Sequence, residues 1–361
     1  MPMKTKILIF GAGAIGRGFL ANKFSSEKYE LSFVDKNKNL IEKLNNKKFF
    51  YSALIKKNKY ILKKIFLKKA FHISEEISIN TYDVVFSCVG PNQCYEIASK
   101  FKNAKLVLSC ENDKSTVEGI KNLSNNKNVF FAIPDVITSN TASPNLLNKD
   151  DLMIITENGE LILERNNKVS FLKEAKKVSK RSFKMHWYAK FFIHNAPHAL
   201  LAYLGWLKNY KYIHEAMKNK NISKIVKGSM REISSALIKT KMVDKKFVLM
   251  YMRKELSRFS NKLLFDPISR VAREPIRKLS AGNRIVLSLR LALFNSLPPI
   301  NTALGVKAAL QYFDKNDDQS IYLKNLRGSL SENEILQKIS GIELDDPLNS
   351  FCTSRCLNKI L

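Results

Sequence analysis

The sequence has few cysteines and no long uninterrupted apolar run. Its five cysteines are an odd number without a regular framework, which argues against a disulfide-stabilised secreted domain. The most apolar stretches, 191–207 and 285–300, carry Asn195 and His198 or Arg290, so neither predicts a membrane span. The N-terminal stretch lacks the zones of a signal peptide. These absences predict a cytoplasmic protein.

Metal-ligand patterns are scarce as well. Cys352 and Cys356 stand four residues apart, but no second pair or nearby histidine completes the ligand set of a metal site. We therefore expect no bound metal.

Acidic residues are outnumbered, 32 against 61 basic ones, which gives a formal net charge of +29. Such a surplus is found in nucleic-acid-binding proteins. Here the basic residues are mostly lysines scattered over the whole chain, without an aromatic-interleaved basic module, so a compositional drift toward lysine and asparagine is the simpler explanation. We predict a small-molecule partner rather than nucleic acid, and the positive field can speed the arrival of an anionic substrate.

Arginine is the rarer cation, with thirteen of the 61 basic residues. A local cluster where lysine is abundant suggests a need for the planar, always-charged guanidinium group, as in phosphate or carboxylate recognition. The structural alternative is a set of ion pairs with Glu255, Asp266 and Glu274. Seven of the thirteen lie in one segment: Arg253, Arg258, Arg270, Arg273, Arg277, Arg284 and Arg290.

A glycine-rich motif follows the first strand-like run, Lys6–Phe10. It has the G-x-G-x-x-G spacing in the required context of strand, turn and helix. Gly11 allows the turn, Gly13 lets the backbone approach a pyrophosphate, and Gly16 permits close helix packing. The helix N-terminus then offers free N–H groups to the phosphates. The predicted cofactor-binding residues here are Gly11, Ala12, Gly13, Ala14, Ile15, Gly16, Arg17 and Gly18.

A second predicted strand, Glu30–Asp35, ends in an acid 19 residues after Gly16. A carboxylate in this place binds the ribose 2′-hydroxyl of NAD and repels the 2′-phosphate of NADP. Lys36 adjoins it and keeps NADP as the weaker alternative. We predict NAD as the cofactor and Asp35 as a binding residue.

Further predicted strands follow at 82–91, 105–109 and 129–133, with a hairpin around Asn158-Gly159. Asn112 follows the second of these strands, where it either faces the cofactor or is merely a turn residue. Residues 49–76, rich in lysine and phenylalanine, predict an irregular insertion.

The stretch from Lys190 to Gly205 places polar residues in an apolar run, as Lys190-x4-Asn195-x2-His198. In one regular helix, at about 100° per residue, the three side chains would fan over roughly 140° and converge on one ligand. The alternative is a core helix with a satisfied histidine and an outward-reaching lysine. Pro197 predicts that a helix begins near it or kinks there.

The rest of the chain is helical in pattern. We predict an α/β fold class, a Rossmann-type doubly wound sheet over residues 1–188 that binds NAD, followed by an all-helical substrate-binding and catalytic domain over 189–361. The predicted helices cover 198–208, 212–219, 222–240, 245–260, 284–296 and 301–313.

These motifs together resemble the mannitol dehydrogenase family of long-chain polyol dehydrogenases. The chain departs from the family pattern at Ala14, at Val136 and after Glu157, which bears on cofactor affinity and on the role of Asp135. The matching stretches are Gly11-Ala-Gly13-Ala-Ile-Gly16-Arg-Gly-Phe19, Val89-Gly-Pro91, Cys110-Glu-Asn112, Lys190-x4-Asn195-x2-His198, Ala202-Tyr-Leu-Gly205, Val226-Lys-Gly-Ser-Met230, Ala236-Leu-Ile-Lys239, Arg258-Phe-x-Asn261, Arg270-Val-x-Arg273 and Pro275-Ile-Arg277-Lys-Leu-Ser-Ala281.

The resemblance implies reversible, metal-free oxidation of D-mannitol 1-phosphate to D-fructose 6-phosphate with NAD+. It implies Lys190 as general base, Asn195 and Asn112 as hydrogen-bond donors to the reacting oxygen, and His198 as a residue that orients the substrate or shares in proton transfer. From the arginine cluster we add Arg273, Arg277 and Lys278 as a hypothetical phosphate site. A monomer is expected.

Three alternatives remain open from the sequence. A related oxidoreductase of the same family would act on a hexuronate such as fructuronate or tagaturonate, and its cluster would bind a carboxylate. A nucleic-acid-binding protein would use the net charge instead. An inactive scaffold would have kept the signature residues without the reaction.

Overall fold

The computed structural model describes residues 4–353, and the chain divides into two compact units. The first unit holds the described residues up to Lys184 together with Leu263–Phe265. The second holds Met185–Lys262 and the described residues from Asp266 onward. Cys356, of the cysteine pair noted above, lies outside the described residues.

All named strands belong to the first unit. In chain order they are β1 (Thr5–Phe10), β2 (Tyr29–Asp35), β3 (Phe49–Lys56), β4 (Lys59–Phe66), β5 (Lys69–His72), β6 (Val84–Ser87), β7 (Val107–Ser109), β8 (Val129–Asp135), β9 (Thr138–Ser139), β10 (Ile154–Glu157), β11 (Glu160–Glu164) and β12 (Lys176–Val178).

The larger sheet has the strand order β5-β2-β1-β6-β7-β8-β11-β12. Strands β5 to β8 in this order are parallel, and β11 is antiparallel to β8. Ile7–Phe10 of β1 are buried without polar alternation, as in strands covered on both faces. The chain reverses its direction of winding between β2 and β6, on either side of β1. This is the predicted doubly wound sheet, and its switch point lies at the carboxyl end of β1, where such folds bind ligands.

A second sheet, ordered β4-β3-β10-β9, corrects two predictions. Residues 49–76 are not irregular, because they form β3, β4 and β5. The prediction of a hairpin around Asn158-Gly159 is wrong, because the flanking strands β10 and β11 belong to different sheets. Gly159 serves close packing instead, since a Cβ there would lie 2.7 Å from the carbonyl oxygen of Asp135.

The helices between the strands are short. The α-helices are α1 (Ala21–Lys23), α2 (Lys38–Lys47), α3 (Pro91–Glu96), α4 (Thr116–Ser124) and α5 (Pro144–Leu147), and the 3-10 turns are Ile79–Thr81, Ala98–Phe101, Asn167–Val169 and Lys262–Leu264. Two segments are π-helical, Ala14–Leu20 and Ala189–Asn195.

The described part of the second unit consists of helices and the loops that join them, with one isolated bridge between Tyr212 and Pro267. The predicted helices are present with ends within about two residues of those expected, so the predicted fold class is confirmed. None of the described helices is long and apolar enough to cross a membrane. The α-helices from the junction onward are α6 (Lys180–Tyr188), α7 (Ala196–Leu207), α8 (Ile213–Lys218), α9 (Lys220–Lys239), α10 (Lys245–Phe259), α11 (Ile268–Ala272), α12 (Pro275–Leu279), α13 (Arg284–Phe294), α14 (Ile300–Gln311), α15 (Asp318–Ser329), α16 (Glu332–Ser340) and α17 (Pro347–Thr353).

Helix α7 lies at the centre of this unit. Its residues from Ala196 to Gly205 are all buried. Gly305 of α14 allows the two helices to touch, because a Cβ there would lie 2.3 Å from a methyl carbon of Leu200. Of the predicted catalytic residues, His198 lies in the first turn of α7, and Lys190 and Asn195 lie in the π-helical segment just before it.

Candidate active site

The glycine loop after β1 has the geometry that its spacing predicts. Gly11 has φ +96°, and a Cβ there would lie 2.6 Å from the carbonyl oxygen of Cys88. A Cβ on Gly16 would lie 1.9 Å from the carbonyl oxygen of Gly11, so only glycine allows the following helix to begin so close to the loop. A Cβ on Gly13 would meet nothing within 4 Å. Backbone atoms therefore pack against the loop at Gly11 and Gly16, whereas Gly13 faces open space.

The helix that follows the loop is π-helical over Ala14–Leu20 before it becomes α1. Gly13 at its N-terminus provides no side-chain capping bond. The first N–H groups of a helix lack partners within it, and together with the helix dipole they form a site for anions such as a pyrophosphate.

Arg17 points into the protein rather than over the loop. Its Nε donates to the carbonyl oxygen of Ala12 at 2.6 Å, and a terminal nitrogen donates to the carbonyl oxygen of Leu152 at 2.6 Å. Its guanidinium lies 5.6 Å from the ring centre of Phe50. Burial lowers the pKa of Arg17 to about 10, against the opposing charges of Asp150 and Asp35. The Arg17 side chain therefore joins the glycine loop at Ala12 to the backbone at Leu152.

Asp35, at the end of β2, is hydrogen-bonded to the same loop. One carboxylate oxygen accepts from the backbone N–H of Ala12 at 2.8 Å, and the other accepts from that of Asn37 at 3.0 Å. Each oxygen keeps further acceptor capacity for a ribose hydroxyl. A glycine loop that is open at Gly13, beside a carboxylate hydrogen-bonded to the same loop, is the arrangement that dinucleotide-binding folds use.

Glu111, just beyond β7, is a buried carboxylate. It accepts from the Ser87 hydroxyl at 3.0 Å and from the backbone N–H groups of Val89 and Gly90 at 3.0 and 2.9 Å. Burial raises its pKa, although these hydrogen bonds oppose the shift. Glu111 thereby fixes the loop after β6, and the adjacent Asn112 is exposed.

In the second unit the helix runs through Pro197 without interruption, from α6 through the π-helical Ala189–Asn195 into α7. Helix α7 begins at Ala196, beside Pro197, as one of the two predicted alternatives has it, although the residues before it are already helical. Pro197 occupies the first turn of α7, where its missing N–H costs little. Such π-helical insertions are frequent at functional sites.

The π-helical register also changes which side chains share a face. Because its hydrogen bonds join residues five apart, one turn takes more than four residues, and Lys190 and Asn195 fall close to the same side. The regular helix assumed from the spacing would have separated them further. Lys190, Asn195 and His198 are 7%, 8% and 7% exposed.

Asn195 has an enclosed side-chain nitrogen without a hydrogen-bond partner among the described residues. A buried donor left unsatisfied costs about 1–3 kcal/mol. A buried donor of this kind can bind a ligand or an ordered water molecule.

His198 lies between an aromatic ring and a carboxylate. Its ring stacks on Phe259 at 4.9 Å with an interplanar angle of 17°. Its Nε2 lies 3.0 Å from Oδ2 of Asp266, at ion-pair distance, although the two atoms are not aligned as a hydrogen bond. Burial lowers the pKa of His198, Asp266 opposes the shift, and the charges of Arg270 and Lys190 add to it. The histidine is therefore neutral near pH 7.

Three of the clustered arginines form the ion pairs that the structural interpretation predicted. Arg258 binds Glu255 at 2.6 Å, Arg277 binds Glu274 at 2.6 Å, and Arg270 Nε binds Asp266 at 2.9 Å. Each pair joins residues three or four positions apart, so these guanidinium groups stabilise their own helix or the turn just before it.

The three residues of the hypothetical phosphate site surround the start of α12. Arg273 is exposed, Arg277 contacts Glu274, and Lys278 is buried, with its ammonium group bonded to the carbonyl oxygen of Arg273. Burial holds the pKa of Lys278 well below its usual range, and the charges of Arg277 and Arg284 add to this.

The backbone of this segment is strained. Glu274 has φ +59°, which is costly for a residue with a side chain, and its N–H donates to Asp317 at 2.7 Å. The N–H of Arg277 donates to the side chain of Gln319 at 2.9 Å. Within residues 4–353, no cluster of three histidine, cysteine or acidic residues has the arrangement of a metal site.

Two family models match the chain, the mannitol dehydrogenase Rossmann domain over residues 5–80 and the mannitol dehydrogenase C-terminal domain over residues 183–340. The chain is 30% identical to mannitol-1-phosphate 5-dehydrogenase of Caldanaerobacter subterraneus subsp. tengcongensis, with 95% of each chain covered. It is 31% identical to the protein of that name from Buchnera aphidicola subsp. Acyrthosiphon pisum, with 89% of this chain and 90% of the other covered.

The fold is similar to that of Pseudomonas fluorescens mannitol 2-dehydrogenase, solved as a ternary complex with NAD and D-mannitol. The TM-score is 0.78 at 15% identity, and the match covers 98% of this chain and 91% of the other. The predicted enzyme class and cofactor, a dehydrogenase that uses NAD, agree with these matches. The chain belongs to the mannitol dehydrogenase family.

Proposed function

We propose that the chain catalyses the reversible oxidation of D-mannitol 1-phosphate to D-fructose 6-phosphate with NAD+ and without a metal ion. The observation that carries the proposal is the enclosed set of Lys190, Asn195 and His198 on one helical run, whose π-helical turn brings the first two to the same side. The near full-length relatives named mannitol-1-phosphate 5-dehydrogenase support the choice of substrate.

Lys190 acts as the general base. Its Nζ takes the proton of the C5 hydroxyl while the hydride leaves C5, and bound NAD+ supplies the acceptor for that hydride. A lysine can accept a proton only in its neutral form. In the reverse direction the ammonium group returns the proton to the carbonyl oxygen as the hydride arrives.

Asn195 stabilises the oxygen that gains negative charge. Its unpartnered side-chain nitrogen is a donor already in place before the substrate arrives, so no reorganisation is required at the moment of reaction. Asn112 is proposed as a second donor, from the exposed turn after β7. His198, neutral and stacked on Phe259, orients a substrate hydroxyl.

Arg273, Arg277 and Lys278 are proposed to bind the phosphate. Arg273, Arg277 and Arg284 place three guanidinium groups around the buried amine of Lys278, beside the carboxylates of Glu274 and Asp317, and a phosphate dianion would favour the charged form of that amine. Arg277 would share its guanidinium between Glu274 and the phosphate. Arg273 is exposed and is available for a ligand.

A substrate comparison tests the proposal. Initial rates with NADH should be highest for fructose 6-phosphate, lower for fructose and lower for fructuronate, with NADPH a poor substitute. A preference for fructuronate would replace the proposed reaction with that of a hexuronate reductase. No turnover of any sugar despite NADH binding would favour an inactive scaffold.

The phosphate site is tested by Arg273→Ala, with the exposed Arg253→Ala of α10 as a matched loss of charge. We expect KM for fructose 6-phosphate to rise about tenfold or more, as for loss of one charge-assisted hydrogen bond of about 1.5–3 kcal/mol. KM for unphosphorylated fructose should change little. Equal losses for both sugars would exclude Arg273 from the phosphate site.

We also propose a cytoplasmic monomer. The four described cysteines, Cys88, Cys94, Cys110 and Cys352, are free thiols, in keeping with a reducing compartment. Light scattering of the purified protein at several concentrations should give the mass of one 41.3 kDa chain. A concentration-independent dimer would contradict the monomer.

A further inference from the structure

The surroundings of His198 assign a role to a residue that the signature motif does not include. Asp266 lies 68 positions further along the chain, immediately before the segment that carries α11, and is 4% exposed. Its Oδ2 faces Nε2 of His198 at 3.0 Å. Both atoms are enclosed and have no aligned hydrogen-bond partner among residues 4–353.

The other side of the carboxylate is fixed. Oδ1 of Asp266 accepts from Nε of Arg270 at 2.9 Å and from a second nitrogen of the same guanidinium. The backbone carbonyl of Asp266 accepts from the N–H of Ile213 at 3.0 Å. Oδ2 is thus held in place and directed toward the imidazole.

We propose that Asp266 is a positioning residue, which keeps the Nε2 proton of His198 directed toward its own carboxylate and leaves Nδ1 as a lone-pair acceptor for a substrate hydroxyl. The enclosure of Nε2 supports this, because the 9% of the histidine side chain that is exposed must lie elsewhere on the ring. The poor alignment in the free enzyme is of the kind that tightens when substrate binds.

The charges around the pair favour an ionised Asp266 and a neutral His198, as the proposed role requires. Burial opposes ionisation of Asp266, but Arg270 and His198 together lower its pKa, so the carboxylate stays charged. Lys190, Arg270 and Asp266 are the charged groups that act on His198, and the ring of His194, bound to Glu255, lies 5.1 Å from it. A neutral imidazole has one N–H, and an ionised carboxylate beside Nε2 selects the tautomer that carries it there.

The inference rests on the proposed reaction only for its kinetic readout. The decisive variant is Asp266→Asn, which nearly preserves volume but offers an amide in place of the charged acceptor. The matched control is Asp346→Asn, which removes the carboxylate partner of Arg290 elsewhere in the second unit. Circular dichroism and thermal unfolding of both variants establish that they fold.

Nitrogen-15 NMR of labelled protein reads the tautomer directly. In the wild type and in Asp346→Asn we expect a protonated Nε2 and an unprotonated Nδ1 at His198 above its titration. In Asp266→Asn we expect mixed tautomers and a midpoint at lower pH, because the negative charge that favours the imidazolium is gone. His198→Asn identifies the signals. An unchanged tautomer and midpoint in Asp266→Asn would overturn the proposal.

Kinetics separate positioning from simple loss of structure. We expect kcat with fructose 6-phosphate to fall at least tenfold in Asp266→Asn while KM for NADH is unchanged. Asp266→Glu should recover part of the loss. If the NMR result holds but no sugar is reduced by the wild type, the proposed substrate fails and the positioning role remains. If Asp266→Asn retains full kcat, the role is overturned.

Discussion

The two π-helical segments use the same departure from α-helical geometry in opposite ways. Ala14–Leu20 follows a loop of glycines, presents backbone N–H groups, and turns its one large cation, Arg17, away from the loop. Ala189–Asn195 is entirely buried and presents side chains, Lys190 and Asn195, from among aromatic residues. We propose that the first segment binds through its backbone N–H groups and that the second acts through side chains held among apolar residues.

This difference separates two kinds of sensitivity to mutation. A backbone site depends on steric space, so adding a single carbon should damage it while deleting a side-chain charge nearby should matter less. A side-chain site depends on particular functional groups, so an isosteric change should abolish chemistry and leave binding of the cofactor intact. The experiments below test this separation, beginning with the largest expected effect.

Lys190→Met removes the amine but keeps an unbranched side chain of similar length. We expect kcat to fall by about 10²–10⁴-fold, as for loss of a general base, with the dissociation constant for NADH unchanged. Stopped-flow turnover and fluorescence titration measure the two quantities. Lys184→Met, an exposed lysine of α6, is the control and should retain kcat. Near-full turnover of Lys190→Met would remove this lysine from the mechanism.

Gly16→Ala tests the steric demand of the first segment. The added Cβ would lie 1.9 Å from the carbonyl oxygen of Gly11, and such overpacking costs roughly 1–3 kcal/mol. Thermal unfolding should show the loss, and NADH binding should weaken with it. Gly282→Ala, where a Cβ meets nothing within 4 Å, is the matched control.

Gly13→Ala separates the effect on stability from the effect on cofactor binding within the same loop. Its Cβ also meets no protein atom within 4 Å, so stability should be kept while the approach of a pyrophosphate is blocked. Unchanged NADH affinity in this variant would mean that the cofactor does not contact Gly13.

Asp35→Asn tests the cofactor preference with little change in shape. Losing a charged acceptor should weaken NADH binding about tenfold or more and raise the relative affinity for NADPH, because repulsion of the 2′-phosphate is removed. Asp345→Asn, an exposed acid in the second unit, controls for net charge. If the ratio of NADH affinity to NADPH affinity is the same in both variants, Asp35 does not bind the adenosine ribose.

The smallest effect is on stability as a function of pH. The folded protein holds the pKa of His198 below its ordinary value of about 6.5, so the unfolded chain takes up that proton first as the pH falls. The free energy of unfolding should therefore decrease from pH 7 toward pH 5. Denaturant titrations should show a smaller decrease for His198→Asn. The contribution of Asp266, whose pKa is lowered from 3.8, is lost only at lower pH.

The glycine loop was predictable from sequence because its geometry excludes other residues. At Gly11 and Gly16 any Cβ would clash with backbone atoms, so the glycine spacing in the sequence directly indicates the geometry of the loop. For the second segment, the spacing left a ligand site and an ordinary core helix both open, and the resemblance to a family favoured the ligand site. A π-helical register leaves no mark in composition, and the spacing of Lys190 and Asn195 suggested an ordinary helix.

Other misses have equally physical reasons. Strand β4 is at a sheet edge and has one fully buried residue, Ile65, so it lacks the alternation that identifies strands. The two-residue turn before it uses Lys57 and Asn58, both with positive φ, and lysine is unusual in that position. The approach of Asp266 to His198 joins positions 68 apart, which periodicity along the chain does not reveal.

The return of Leu263–Phe265 to the first unit has a consequence for synthesis. The carbonyl oxygens of Leu263 and Phe265 accept from the hydroxyls of Tyr60 and Ser139, at 2.6 and 3.1 Å. Phe265 is translated 81 residues after Lys184, about 4–16 s later at ordinary elongation rates. During synthesis the first unit therefore stays incomplete until Leu263–Phe265 have been translated. A gene truncated after residue 184 would encode this unit without these two hydrogen-bond acceptors.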